Sequence, residues 1–241
     1  MSGWRSVLCV PADDERKLAK ARSLGADRIL FDLEDGCAEE NRWSAFGELP
    51  ARLVAGDSVR LPREVAWLER AAELPDYVAL WIPKYEEGLF IPRGAMARAR
   101  MFVPLIETPA GVAACGRIVR QLAGRCVALA FGSMDFSARM GVSLQSRAVE
   151  LARFQVALAA RTAGIPAIDA PCFDLGAGRN AAECLAAKEL GFEGKGCIHP
   201  SQIEECNRTF TPVARVARGE RRPVFRIGNA VVGPSLCGGA E

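Results

Sequence analysis

Two carboxylates, Glu107 and Asp135, end consecutive apolar runs in the sequence, at 100–107 and 127–135. If these runs are neighbouring parallel strands, the two acids lie side by side and can share one hard divalent cation. Mg²⁺ in proteins takes one or two carboxylates, keeps several waters and accepts substrate oxygens in its open positions. We therefore predict that Glu107 and Asp135 bind Mg²⁺. A salt bridge to a nearby Arg or Lys is the alternative for Glu107.

Arg60 and the pair Gly132–Ser133 are suited to bind an anionic substrate beside such a cation. Arg60 lies in a short run at 58–61, and its planar guanidinium can donate two hydrogen bonds to a carboxylate or a developing enolate. Gly132 and Ser133 precede Asp135 and let backbone N–H groups approach an anion closely. The alternative for Arg60 is an exposed arginine at the start of a helix.

Other ionisable residues also follow apolar runs. The acidic segment 32–35 contains Glu34 and Asp35, and one of its acids is suited to order the waters of a metal or to hold Arg60. Lys84 ends the run 77–84 and is predicted to contact an anion at the rim of the site, although an exposed lysine fits equally well. Charged groups on buried strands are costly unless they are paired or bind a metal, so we expect one convergent polar site.

The elements that must position these residues are eight short apolar runs that alternate with helical patterns. The runs are nearly continuous in apolar residues, which is typical of parallel strands buried on both faces. They span 6–11, 28–35, 58–61, 77–84, 100–107, 127–135, 166–172 and 194–200. Eight strand–helix units predict an α/β fold of the (β/α)8 barrel type, with chemistry at the carboxyl ends of the strands. A doubly wound open sheet is the rival, but the first run lacks the glycine-rich turn of that fold.

Helix signals divide the chain further. Thr108–Pro109 is a helix start, residues 144–163 are the longest helical stretch, and Ser201 is expected to cap a helix that begins at Gln202. We predict one barrel domain over 4–211, followed by a C-terminal arm or tail over 212–241.

Composition excludes several classes of protein. The chain has 241 residues and a formal net charge of +2, which argues against an electrostatic nucleic-acid binder. No apolar run approaches the ~20 residues that span a bilayer, and the amino terminus does not resemble a secretory signal, so we expect a cytoplasmic protein. Nine irregularly spaced cysteines are interpreted as small buried hydrophobic residues. The single histidine, His199, is a general acid or, with slightly more support, a structural residue at a strand-to-helix turn.

Several motifs together resemble a known family. They are RSVLCVPADDERKLAKARSLGADRILFDLEDG, VRL, WIPK, VPLIETPAGV, ALAFGSMDF and GFEGKGCIHPSQIEECNRTFTP, in this order over roughly residues 4–212. The sequence resembles the citrate lyase beta-subunit-like group of the HpcH/HpaI aldolase superfamily. The resemblance implies a TIM barrel that uses Mg²⁺ to cleave or form a carbon–carbon bond next to a carbonyl. It implies substrates such as citryl-CoA or malyl-CoA, acetyl-CoA and a keto acid as products, and a homotrimer or a multiple of it.

The resemblance also implies roles for individual residues. By analogy with the family motifs, Glu107 and Asp135 bind the metal, and Arg60 contacts substrate and stabilises the enolate. Arg5 and Lys84 are implied as contacts to substrate or CoA. Two acids of the segment 32–35, Glu34 and Asp35, are implied to line the site. Together with Arg60, they are predicted to be catalytic residues.

One departure from the family pattern bears on the reaction. Many relatives carry an aspartate in a C-terminal segment that acts as acid or base, and the matching position here is Val232, which cannot transfer a proton. The sequence therefore leaves two alternatives to a CoA-thioester lyase. One is an aldolase acting on free 2-keto acids without CoA, and the other is a catalytically weakened paralogue that binds a metabolite.

Overall fold

The computed structural model describes residues 3–122, 124–212, 225–227 and 230–232, with side chains for the first two ranges. Within these residues, eight parallel strands close into a barrel in which each strand pairs with the next and β8 pairs with β1. The strands are β1 (Ser6–Pro11), β2 (Arg28–Asp32), β3 (Ser58–Arg60), β4 (Ala79–Ile82), β5 (Met101–Ile106), β6 (Leu129–Phe131), β7 (Ala167–Asp169) and β8 (Gly194–Cys197). The predicted (β/α)8 barrel is confirmed.

Helices follow the strands and cover the outside of the barrel. They are α1 (Glu15–Ala21), α2 (Arg42–Arg52), α3 (Val65–Arg70), α4 (Arg93–Arg98), α5 (Pro109–Gln121), α6 (Ser133–Met140), α7 (Arg147–Thr162), α8 (Arg179–Glu189) and α9 (Ile203–Phe210). Among the described residues, none of the helices combines the length and apolarity needed to cross a bilayer.

The barrel has two apolar layers because side chains alternate across each strand. The interior cluster contains residues such as Val7, Leu30, Trp81, Leu105 and Ile168. A larger cluster lies between the strands and the helices and includes Leu8, Phe31, Val59, Leu80 and Phe131. Burial on both faces explains why the strands read as continuous apolar runs rather than as alternating ones.

Side chains cap the starts of α1, α5 and α7, and one of the predicted caps is wrong. The Thr108 hydroxyl accepts a hydrogen bond of 2.9 Å from the Gly111 backbone N–H and so caps α5, as predicted. The predicted cap at Ser201 is wrong, because the chain forms a 3-10 turn over Pro200–Gln202 before α9 begins at Ile203. The imidazole of His199 caps this turn by accepting from the Ser201 backbone N–H at 3.2 Å.

A side-chain hydrogen bond connects the first strand of the barrel to its last helix. The Ser6 hydroxyl, at the start of β1, donates a hydrogen bond of 2.7 Å to the side-chain carbonyl of Asn207 in α9. The chain divides into two units, 1–210 and 211–241. In the second unit, β9 (Phe225–Ile227) and β10 (Ala230–Val232) pair antiparallel. The side chain of Val232 lies outside the described residues, and the predicted boundary between 211 and 212 stays a prediction.

Candidate active site

A cavity of about 440 Å³ opens at the carboxyl ends of the strands. Its upper wall is polar and its floor is the apolar interior of the barrel. The lining includes Asp32, Asp35, Arg60, Trp81, Leu105, Glu107, Gly132, Ser133, Asp135 and Ile168. The fold therefore brings most of the residues singled out in the sequence to one place.

Arg60 is held in this cavity by Asp32. Nε and Nη2 of Arg60 donate hydrogen bonds of 2.7 and 2.6 Å to the two carboxylate oxygens of Asp32, which also accept from the backbone N–H groups of Glu34 and Gly36. Burial alone would raise the pKa of Asp32, but the hydrogen bonds and charge of Arg60 lower it below its ordinary value. Burial likewise opposes the charge of Arg60, and Asp32 outweighs it, so the pKa of Arg60 is raised. Arg60 is thus a permanently charged, oriented guanidinium.

The acids at 34 and 35 also face Arg60. Glu34 Oε2 lies 3.0 Å from Nη1 of Arg60, and Asp35 Oδ2 lies 3.6 Å from the same nitrogen. Glu34 is buried, and burial raises its pKa although Arg60 and Lys84 lower it. The Asp35 side chain is 65% exposed and lines the cavity. Of the two acids, Asp35 is the one open to a ligand.

Lys84 connects the acids on both sides of the cavity. Its Nζ lies 2.7 Å from Glu34 Oε1 and 3.1 Å from Asp135 Oδ2, and its backbone N–H donates a 2.7 Å hydrogen bond to Glu107 Oε1. The backbone of Lys84 has φ of +49°, in the left-handed region that side chains other than glycine rarely adopt. Such strain is typical of functional sites, and here it accompanies the hydrogen bond from the backbone to Glu107.

Glu107 is a buried carboxylate that Gly132 allows into position. A Cβ added at Gly132 would lie 2.7 Å from Cβ of Glu107, closer than side chains pack. Burial raises the pKa of Glu107 to about 7, with the Lys84 backbone N–H lowering it and the charges of Glu34 and Asp135 raising it. A carboxylate held this way is stabilised by a nearby cation.

The donors present fit a hard divalent cation such as Mg²⁺. Glu107 and Asp135 offer carboxylate oxygens to one cavity. A cation bound between them would offset the free-energy cost of the buried negative charge on Glu107. Within the described residues, no group of three or more His, Cys, Asp and Glu side chains could hold a metal. The protein would therefore supply two ligands and leave the remaining positions to waters and substrate, as Mg²⁺ sites commonly do.

A sequence match to a protein family covers most of this site and identifies the family of the chain. Residues 57–200, which contain Arg60, Lys84, Glu107 and Asp135, match the HpcH/HpaI aldolase/citrate lyase family. The chain belongs to this family. Among its relatives, (3S)-malyl-CoA thioesterase from Cereibacter sphaeroides is 32% identical over 227 residues, covering 87% of this chain and 78% of that protein. The mitochondrial citramalyl-CoA lyase from Mus musculus is 29% identical, covering 86% of this chain and 71% of that protein.

A solved structure of a similar protein shares the fold. Protein CitE from Mycobacterium tuberculosis, in complex with magnesium, acetoacetate and coenzyme A, superposes with a TM-score of 0.79. The two chains are 26% identical, and the match covers 96% of this chain and 93% of that one.

Two details of the HpcH/HpaI site differ from the sequence prediction. The backbone N–H of Gly132 donates a 3.0 Å hydrogen bond to the Ile106 carbonyl, so it is not directed at a substrate anion. Gly132 serves the site by its missing side chain instead. Asp135 does not end a strand, because β6 stops at Phe131 and Asp135 lies in the first turn of α6.

The structure places Arg5 away from the predicted site. This residue precedes β1 and therefore lies at the amino-terminal end of the barrel, opposite the cavity. Its guanidinium and its backbone N–H donate to the Asp27 carboxylate at 2.7 to 3.0 Å. The expectation that Arg5 contacts substrate or CoA is not supported by this position. The rule that barrel chemistry lies at the carboxyl ends of strands was available in the sequence and argues against Arg5.

Two further strand-end residues form a separate network. Lys195 Nζ lies 2.7 Å from Asp169 Oδ2, and Arg153 of α7 donates two hydrogen bonds of 2.9 and 2.8 Å to the same carboxylate. Ile168 faces the barrel interior, so its neighbour Asp169 faces the helices. Asp169 also lines the cavity, but its buried carboxylate is paired with Lys195 and Arg153, so this network attaches α7 to β7 and β8 and offers no free acid to the site.

Proposed function

We propose that this chain is a Mg²⁺-dependent carbon–carbon lyase that cleaves a small β-hydroxyacyl thioester of the citryl-CoA or malyl-CoA type into acetyl-CoA and a keto acid. One observation carries the proposal: Arg60, fixed by Asp32, lines the same cavity as the carboxylates of Glu107 and Asp135. The lyase named among the relatives, and the magnesium and coenzyme A complex of CitE, support it.

Glu107 and Asp135 are the residues that would hold Mg²⁺. Bound there, the ion would supply a Lewis acid for the oxygen on the carbon that becomes the carbonyl of the released keto acid. Gly132 keeps the carboxylate of Glu107 in place, and the backbone N–H of Lys84 fixes one of its oxygens.

Arg60 stabilises the charge that develops when the carbon–carbon bond breaks. The bonding electrons pass into the thioester carbonyl and form an enolate, whose oxygen accepts hydrogen bonds from the guanidinium. Because Asp32 already fixes the orientation of Arg60, the donors need no rearrangement during the reaction.

Asp35 is assigned as the base that removes the proton from the substrate hydroxyl. Its side chain lines the cavity beside Arg60, whereas Glu34 is engaged by Arg60 and Lys84. Proton removal from the hydroxyl accompanies formation of the new carbonyl group, and transfer of this proton from Asp35 to the enolate carbon completes acetyl-CoA. Val232 carries no ionisable group, so the acid found at the C-terminal position of many relatives is replaced in this assignment by a residue of the cavity.

Hydrolysis of the thioester is the second candidate, because the 32% identical relative is a thioesterase. The two reactions give different products. A lyase forms a keto acid and keeps the sulfur acylated, whereas a thioesterase releases a free thiol and no keto acid.

The test is to incubate purified protein with Mg²⁺ and malyl-CoA or citramalyl-CoA, following keto acid and free thiol in parallel. Keto acid without thiol supports the lyase, and thiol alone supports the thioesterase. Activity on free 2-keto acids in place of the CoA esters would identify an aldolase. Metal-dependent keto-acid binding without any turnover would identify a metabolite-binding paralogue.

We also propose that the chain assembles as a homotrimer or a multiple of it and acts in the cytoplasm. The assembly is supported by the resemblance of the motifs to the citrate lyase beta-like group. Light scattering of the purified protein tests the assembly, since a monomer at micromolar concentration would contradict it.

A further inference from the structure

Cys206 and two neighbouring buried thiols form a cluster, of which one member, Cys197, also lines the active-site cavity. The Sγ of Cys206, in α9, lies 3.6 Å from the Sγ of Cys184 in α8 and 3.6 Å from the Sγ of Cys197 in β8. All three side chains are fully buried. The cluster thus brings together sulfurs from two helices and one strand, and neither the Mg²⁺ site nor the thioester chemistry uses it.

We propose that Cys206 is an oxidation site that forms a disulfide with Cys184 or Cys197 when the protein meets a hydroperoxide. A disulfide has an S–S length of about 2.0 Å. The two 3.6 Å contacts therefore need to shorten by about half, which side-chain rotation and a small shift of α9 can supply. Because both distances are equal, Cys206 has two available partners and is the residue common to both disulfides.

The chemistry balances with hydrogen peroxide as the oxidant. The sulfur of Cys206 attacks one peroxide oxygen, the O–O bond breaks, and a sulfenic acid and one water form. The neighbouring thiol then attacks that sulfur, the S–O bond breaks, and a second water leaves. Two thiols lose two electrons and two protons, and the peroxide is reduced to two waters.

Access to the cluster comes from α9, the last helix of the unit 1–210. Terminal elements open locally more readily than the centre of a fold. In the closed state, contact with Cys206 and burial raise the pKa of Cys184, which keeps that thiol protonated and unreactive. The charge of Lys195 lowers the pKa of both Cys184 and Cys206 but does not outweigh the effects that raise it.

The experiment treats the full chain with hydrogen peroxide, blocks the remaining thiols with N-ethylmaleimide in denaturant, and counts adducts by mass spectrometry. The protein has nine cysteines, and we expect two fewer adducts after oxidation, restored by dithiothreitol. Peptide mapping should find Cys206 linked to Cys184 or Cys197. Loss of no thiols, added oxygen without a cross-link, or a disulfide that omits Cys206 would overturn the proposal.

Variants distinguish disulfide formation in this cluster from oxidation of other cysteines in the chain. Cys206→Ser and Cys206→Ala should retain all their remaining thiols, whereas Cys184→Ser and Cys197→Ser should each still form one disulfide through the other partner. Cys126→Ser is the matched control, because Cys126 is buried but contacts the Ala128 carbonyl at 3.4 Å. It should form the Cys206 disulfide like the parent protein. Circular dichroism before oxidation selects the variants that are folded, and a Cys206 variant that is folded and still loses two thiols contradicts the proposal.

Discussion

Asp32 and Arg60 are direct partners across β2 and β3, and their side chains form two parallel hydrogen bonds of 2.7 and 2.6 Å above that pairing. The strand register thus sets the position of the guanidinium, and the carboxylate sets its orientation. Both residues belong to rigid elements, which hold a binding group more precisely than loops do.

Replacing Arg60 with Lys keeps the charge and removes the planar fork. We expect kcat/KM for thioester cleavage to fall by about 100-fold or more, because the two-point contact with Asp32 and the donors to the enolate are lost together. Steady-state kinetics with saturating Mg²⁺ measure this effect. Arg5→Lys is the control, since Arg5 lies at the opposite end of the barrel, and it should change kcat/KM by less than about twofold. A larger effect in the control than in Arg60→Lys would reverse the assignment.

Replacing Asp32 with Asn tests whether the carboxylate acts through Arg60. The amide keeps the shape of the side chain but loses the charge and one acceptor, so the guanidinium is less well oriented. We expect kcat to fall by about 10- to 100-fold with a smaller change in KM. If Asn at this position left kcat unchanged while Arg60→Lys abolished it, Asp32 would have no positioning role.

Glu107→Gln is expected to make the metal-free protein more stable at alkaline pH. The pKa of Glu107 is raised to about 7 by burial, from an ordinary value of 4.5. The folded protein thus keeps a proton that the unfolded chain loses, and stability falls as pH rises through this window. Above it, the free energy of unfolding of the variant should be higher by about 3 kcal/mol.

Urea denaturation near pH 8 and near pH 5 checks this expectation. The difference between the variant and the parent protein should shrink at the lower pH. Added Mg²⁺ should raise the melting temperature of the parent protein near pH 8 and leave Glu107→Gln nearly unchanged. An equal response of both proteins to Mg²⁺ would remove Glu107 from the metal site.

Gly132→Ala should damage the metal site while leaving the barrel folded. The new methyl group would overlap Glu107, which must then move from its position. We expect Mg²⁺ affinity, measured by calorimetry, to fall by about tenfold or more. Gly47→Ala is the matched control, because Gly47 is an exposed residue of α2 and nothing lies within 4 Å of the added Cβ. That substitution should leave Mg²⁺ affinity unchanged and stabilise the helix slightly.

The barrel was predictable from sequence because each strand is buried on both faces and therefore reads as an apolar run. Glu107 and Asp135 were predictable as members of one cavity because they follow the consecutive parallel strands β5 and β6, although Asp135 lies in the first turn of α6 and not at a strand end. The starting points of α5 and of β1 could also be read locally, from a capping threonine and from an apolar run.

The pairings inside the site were not predictable to the same degree. Sequence reasoning placed one acid of the segment 32–35 against Arg60 but did not identify it as Asp32, because that depends on a three-residue register between β2 and β3. The contacts of Lys84 with acids on both sides of the cavity depend on its left-handed backbone conformation, which no local sequence pattern predicts. The use of Gly132 as space for Glu107, rather than as an anion donor, depends on a contact between two loops.

The pairing of β8 with β1, together with the hydrogen bond from Ser6 to Asn207, has a consequence for how the protein is made. During synthesis, β1 is made about 190 residues before β8, its partner on one side. Until then its exposed edge can pair with other chains. We therefore expect nascent chains that end before α9 to need chaperone protection, whereas those that extend past Asn207 can close the ring.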